Sequence, residues 1–128
     1  MAAMLLNVSL VALGGAIGSS LRYLFGYAVS KALPMNFPLG ILPVNIIGSF
    51  LMGLFVVAAH HKGYTQANLF VMTGLLGGFT TFSAFSLESA TLLERGAFGQ
   101  AALYIGLSVG LSILGLMAGL AIARGLWA

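Results

Sequence analysis

The stretch GLLGGFTTFSAF, Gly74 to Phe85, decides how this chain is read. It lies inside an apolar run, yet it holds adjacent glycines at 77 and 78, adjacent threonines at 80 and 81, and phenylalanines at 82 and 85. In a membrane interior water cannot satisfy a free backbone N–H or C=O, which leaves the segment two conformations. It is a continuous helix whose threonine hydroxyls bond back along their own turn, or it breaks between Gly77 and Thr81 into two half-helices. A break frees carbonyls at the end of the first half and amides at the start of the second, and such groups coordinate ions.

Everything around the stretch points to lipid as its solvent. Of 128 residues 60% are hydrophobic, and only five are basic and two acidic. A water-soluble domain devotes about a quarter of its residues to charge. Four apolar runs, Leu5 to Tyr27, Leu39 to Ala59, Leu69 to Leu93 and Phe98 to Ala123, are each long enough to cross a hydrocarbon core of about 30 Å. They predict an all-α membrane protein, a single four-helix domain over residues 1–128 with spans at 4–30, 39–59, 67–93 and 98–124. The first run is not read as a signal peptide, because it is long, lacks a basic start and precedes three more spans. The connectors are too short for a soluble catalytic unit. The net charge of +3 is too weak for a nucleic-acid surface, and the lack of cysteine excludes disulfides and thiol chemistry.

Within the first span Gly14, Gly18 and Arg22 recur every four residues and share one helix face, with Gly15, Ser19 and Gly26 widening a small-residue strip. Arg22 is expensive in hydrocarbon unless it reaches interfacial water or a buried partner. In the second, Pro43 sits in the first turns, and Asn45 needs partners for both sides of its carboxamide. That carboxamide bonds another helix or lines a polar pathway, and the sequence does not choose between the two. In the third, Phe82, Phe85 and Ser86 lie near one side of the helix beyond the candidate break. Two phenylalanines at this spacing are ordinarily packing residues. Their ring edges are electropositive, however, and suit a small anion, whose hydration the hydroxyls of Thr81, Ser83 and Ser86 would replace in part. In the fourth, Tyr104, Ser108 and Ser112 form a polar stripe, while Gly106 with Gly110 and Gly115 with Gly119 form two small-residue pairs that suit helix packing.

The basic residues outside the spans divide evenly. Lys62 and Arg124 lie on one side, Lys31 and Arg95 on the other. The positive-inside rule therefore has almost nothing to act on, and insertion in both orientations, with pairing of oppositely facing copies, is physically allowed.

Three segments together carry a family resemblance: GGAIGSSLRY at 14–23, PLGILPVNIIGSFLMG at 38–53 and GLLGGFTTFSAFSLE at 74–88. Over nearly the whole chain the sequence resembles the small fluoride channels called Fluc, or CrcB. The resemblance implies a third helix that is broken, an antiparallel (inverted) homodimer in lipid, and passive, fluoride-selective export that excludes chloride across a bacterial inner membrane. It implies a fluoride pathway built from Asn45, Phe82, Phe85, Ser83, Ser86, Tyr104 and Ser112, with Arg22 and Glu88 in the vestibule. It further implies a structural sodium ion (Na+), a metal-binding site at the dimer centre made by the backbone carbonyls of Gly77 and Thr80. Three positions depart from the family's usual pattern: Ile41 and Ala84 stand where a threonine is common, and Pro43 where proline is not.

Two other classes compete. A proton-coupled exporter would need a central acid, whereas Glu88 sits late in its span. A structural assembly protein would need only the glycine faces. Enzyme chemistry has no foothold: His60 and His61 are merely adjacent, and Glu88 and Glu94 are six apart on roughly opposite-going directions of a helix.

Overall fold

The computed structural model describes residues 1–33, 37–63 and 65–126, with the side chain of Thr65 left aside; parts of the first two connectors lie outside these. Helix α1 runs Ala2–Ala32, α2 runs Ile41–Lys62, α3 occupies residues 65–79, α4 runs Phe82–Glu94 and α5 runs Phe98–Leu126. Helices α3 and α4 are the two halves of the third crossing. With that pair counted as one, the described residues include four helical segments long and apolar enough to cross a membrane, and the chain is an integral membrane protein.

The connectors are short because helix-ending residues sit where each helix must stop. Gly63 adopts the left-handed conformation, φ 67°, and its N–H closes α2 on the Ala59 carbonyl at 2.8 Å. Gly96, φ 75°, makes the turn between α4 and α5 in the same conformation.

Two close helix crossings organise the bundle, and both depend on missing side chains. Helix α1 lies against α3 with backbone on backbone. A Cβ at Gly14 would stand 2.8 Å from the Leu75 amide nitrogen, one at Gly18 2.8 Å from that of Phe79, and one at Gly78 2.8 Å from the Gly15 carbonyl oxygen. Helix α2 lies against α5 in the same manner: a Cβ at Gly119 would come within 2.9 Å of the Leu54 nitrogen. In lipid no hydrophobic force draws helices together, so this intimacy of backbone contact is what holds each pair. Gly106 and Gly110, by contrast, have open space where a Cβ would be. Of the two glycine pairs expected to pack helices in the fourth span, Gly115 and Gly119 meet α2, and the face of Gly106 and Gly110 is open within the single chain.

The outer surface suits lipid. Leu13, Leu21 and Leu24 on α1 and Ile113, Leu114 and Met117 on α5 are all exposed. Buried apolar contact gathers instead around Leu42, Phe85, Leu92, Ala101 and Tyr104, where α2, α4 and α5 meet.

Candidate functional site: a cleft at the interrupted third crossing

Helical geometry fails at two residues. Thr80 (φ −86°, ψ 157°) and Thr81 (φ −154°, ψ 120°) are both extended, so the third crossing is interrupted between Phe79 and Phe82. The local cause is legible: two glycines with little helix preference precede two β-branched residues, and the second threonine is a good N-cap. Ahead of the break, Leu69–Leu76 is wound as a π-helix, a rare form with i→i+5 hydrogen bonds.

An interruption inside an apolar layer obliges every freed backbone group to find a partner. The Thr80 N–H still reaches the Leu76 carbonyl at 3.0 Å. The Thr81 N–H donates to Asn45 Oδ1 at 2.8 Å, and the Thr81 carbonyl accepts from Asn45 Nδ2 at 3.0 Å. The Gly78 carbonyl accepts from Arg22 Nε at 3.1 Å. Thr81 Oγ1 then caps α4 by accepting from the Ala84 N–H at 3.1 Å, and its hydroxyl also meets that of Ser83 at 3.2 Å. The break is thus held from two other helices, by Arg22 of α1 and Asn45 of α2.

Beside it opens a cleft of about 340 Å³, lined by residues from the break (Thr80, Thr81, Phe82, Phe85), from α2 (Asn45, Ser49) and from α5 (Ser108, Val109, Ser112, Ile113). Among the described residues its wall is neutral, apolar in the main, with a short series of hydroxyls and one carboxamide. Ser108 and Ser112 both present buried hydroxyl oxygens that have no hydrogen-bond partner. Phe82 and Phe85 stand 5.4 Å apart with rings tilted by 60°; Phe85 is 8% exposed, whereas Phe82 is 77% exposed.

The structure gathers Asn45, Phe82, Phe85 and Ser112 of the expected pathway into this cleft. It leaves Ser83 and Ser86 on the exposed side of α4, outside the lining. Tyr104 is fully buried behind Phe85, with ring centroids 5.5 Å apart, and its hydroxyl donates to Glu88 Oε2 at 2.7 Å. Glu88 in turn lines a second hollow of about 270 Å³ with Phe37, Thr91 and Arg95. Ser49 and Ser108 belong to the lining although the expected pathway omits them. Their signal is positional: Ser49 lies one helical turn beyond Asn45, and Ser108 lies one turn from both Tyr104 and Ser112.

A family model described as "CrcB-like protein, Camphor Resistance (CrcB)" matches residues 9–120. The chain belongs to the CrcB family. A fluoride-specific ion channel, FluC, of Ruegeria sp. (strain TM1040) is 68% identical to this CrcB chain over 123 residues, covering 95% of it and 98% of the relative. The FluC of Roseobacter denitrificans is 61% identical over 94% of the chain and 98% of its own length, and that of Agrobacterium fabrum 51% identical over 96% and 100%.

The expectation of a structural Na+ on the carbonyls of Gly77 and Thr80 is corrected in this CrcB chain, and with it the metal-binding role. Among the described residues no group of three or more His, Cys, Asp or Glu is placed to hold a metal ion. Three carbonyls around the break are engaged within the chain: Gly78 O by Arg22, Thr81 O by Asn45, and Leu76 O by both the N–H and the hydroxyl of Thr80.

Proposed function

We propose that this chain is a fluoride-selective ion channel of the bacterial inner membrane, passing fluoride passively down its electrochemical gradient and rejecting chloride. It is not an enzyme. The observation that carries the reading is the cleft itself, in which two phenylalanines, one carboxamide and a series of serine and threonine residues line one neutral space inside an apolar bundle. A hydroxyl buried without a partner is costly, so the two of Ser108 and Ser112, both cleft-lining residues, call for a hydrogen-bond acceptor.

Fluoride meets that description. It is small, strongly hydrated and a strong hydrogen-bond acceptor. The Ser108 and Ser112 hydroxyls and the spare N–H of Asn45 Nδ2 replace part of its water, and the electropositive edges of Phe82 and Phe85 supply the remainder without a fixed positive charge. Neutral donors hold the ion firmly enough to admit it and loosely enough to release it. Chloride is too large to draw the same contacts inward together. Ser83 and Ser86 serve the pathway from the exposed face of α4, and Tyr104 with Glu88 stand at its approach from the second hollow.

The working unit in this reading is an antiparallel homodimer. The cleft is open along one side, and Phe82 projects from it, so a second copy completes the wall. Even division of the basic residues admits both orientations, and an inverted pair offers the same groups to each side of the membrane. In a cell this device removes fluoride that has entered as the neutral acid and dissociated inside, with no input of ATP.

The test is efflux from proteoliposomes loaded with potassium fluoride or potassium chloride, read with ion-selective electrodes after valinomycin is added. Protein-dependent release of fluoride and retention of chloride is expected, with or without an imposed pH gradient. Retention of both ions by vesicles shown to contain the folded dimer would reject the assignment.

A further inference from the structure

Among the described residues Arg22 is the one basic side chain drawn into the body of the bundle, and what it does there follows from which of its atoms is used. It is partly buried, on the face of α1 that lies against α3, one turn beyond Gly18. Its Nε–H, not the outer edge of the guanidinium, donates to the Gly78 carbonyl across 56 positions of sequence. Gly78 is the second-last residue of α3, and its carbonyl is one that a continuing helix would have satisfied. The neighbouring crossing makes the reach feasible: Gly18 and Gly78 each bring backbone against the opposite helix, so α1 and α3 stay close up to the break. Arg22 is not among the side chains that line the cleft.

We infer that Arg22 is a positioning residue, which fixes the ion pathway by clamping the Gly78 carbonyl at the end of α3 and does not act through its charge. The clamp works with Asn45. Gly78 is held from α1 and Thr81 from α2, so the two intervening residues, Phe79 and Thr80, are pinned at both ends. Thr80 and Thr81 line the cleft, and Thr81 caps the helix that carries Phe82 and Phe85. Displacement of Gly78 therefore moves the groups that contact the ion. The role of the clamp in transport rests on the fluoride reading; the clamp itself does not.

Side-chain chemistry supplies a clean separation. Counting outward from Cα, the amide nitrogen of glutamine falls where arginine has Nε, so Arg22→Gln keeps an N–H donor at the bonded position and removes the charge. Arg22→Lys keeps the charge and puts a methylene at that position. Fluoride efflux from proteoliposomes is expected to fall no more than about threefold in Arg22→Gln. In Arg22→Lys it is expected to fall at least tenfold, on the order of the loss that accompanies one hydrogen bond from a charged donor.

The second readout is hydrogen exchange at the Thr80 and Thr81 amides in lipid nanodiscs, which is expected to quicken in Arg22→Lys and not in Arg22→Gln. The reverse order of efflux, or full efflux in both variants, would overturn the inference. Loss of efflux in both variants would also overturn it, because the donor kept in Arg22→Gln would not have sufficed. Were the wild-type protein to move no fluoride, the functional reading would fail alone, and the exchange rates would still judge the clamp.

Discussion

Asn45 and Thr81 are joined through both sides of one carboxamide, Oδ1 accepting from the Thr81 N–H at 2.8 Å and Nδ2 donating to the Thr81 carbonyl at 3.0 Å. Two hydrogen bonds between one side chain and one backbone residue make the pair a hinge pin for the interrupted crossing. Asn45→Asp retains the acceptor and loses the donor; Asn45→Leu loses both. Each hydrogen bond left unmade in a buried place costs about 1–3 kcal/mol. Both variants are expected to lower fluoride efflux at least tenfold, with Asn45→Leu also lowering the thermal midpoint of the purified protein. Efflux at the wild-type rate in Asn45→Leu would remove Asn45 from the pathway.

The two serines of α5 should behave in the opposite sense. Ser108 and Ser112 have no partner for their buried hydroxyls, so alanine at either position removes an unsatisfied group with little loss of volume. Stability is expected to be unchanged or raised by up to about 1 kcal/mol, while fluoride efflux falls. Loss of activity without loss of stability distinguishes a group kept for a passing ion from one kept for packing. A drop in thermal midpoint with unaltered efflux would assign these hydroxyls to packing.

Phe82 and Phe85 differ by nearly the whole range of exposure, 77% against 8%, although both line the cleft. Phe85→Ala opens a hole among Leu42, Leu92 and Tyr104 and is expected to cost about 3 kcal/mol or more. Phe82→Ala removes little packing within the chain, so its effect should fall on fluoride efflux and on dimer stability. Unfolding curves of the two variants, set beside their efflux rates and their gel-filtration profiles, check this division.

The glycines give a prediction in which spacing is held constant. Gly18→Ala places a Cβ against backbone atoms of Leu75 and Phe79 in α3, which cannot swing aside as a side-chain end would, and is expected to destabilise the protein by about 1–3 kcal/mol. Gly106→Ala meets open space and improves helix preference by about 1 kcal/mol. Equal destabilisation by the two substitutions would contradict the helix crossing described here.

That comparison also shows where sequence reasoning stops. Four-residue spacing states which residues share a face; it does not state what the face touches, and so Gly106 with Gly110 reads like Gly115 with Gly119. The membrane crossings were legible because they depend on local composition, apolar runs of sufficient length, whereas composition left the third span either continuous or interrupted between Gly77 and Thr81, and only the family resemblance implied the interruption. The partners of Arg22 and Asn45 were not legible, since bonds across 56 and 36 positions exist only once α1, α2 and α3 have crossed. Ser83 and Ser86 illustrate the same limit from the other side. They lie among the cleft residues in sequence, yet both are exposed and stand outside the cleft lining, the Ser83 hydroxyl meeting that of Thr81 at 3.2 Å.

Selective, passive fluoride movement is the claim on which the remaining expectations depend, and a reversal potential measures it most directly. In planar bilayers containing the protein, with fluoride on one side and an equal concentration of chloride on the other, current should reverse at a voltage large in magnitude and of the sign set by fluoride. Adding a pH gradient should leave that voltage where it was. A reversal near zero, or one that moves with the proton gradient, would contradict the account.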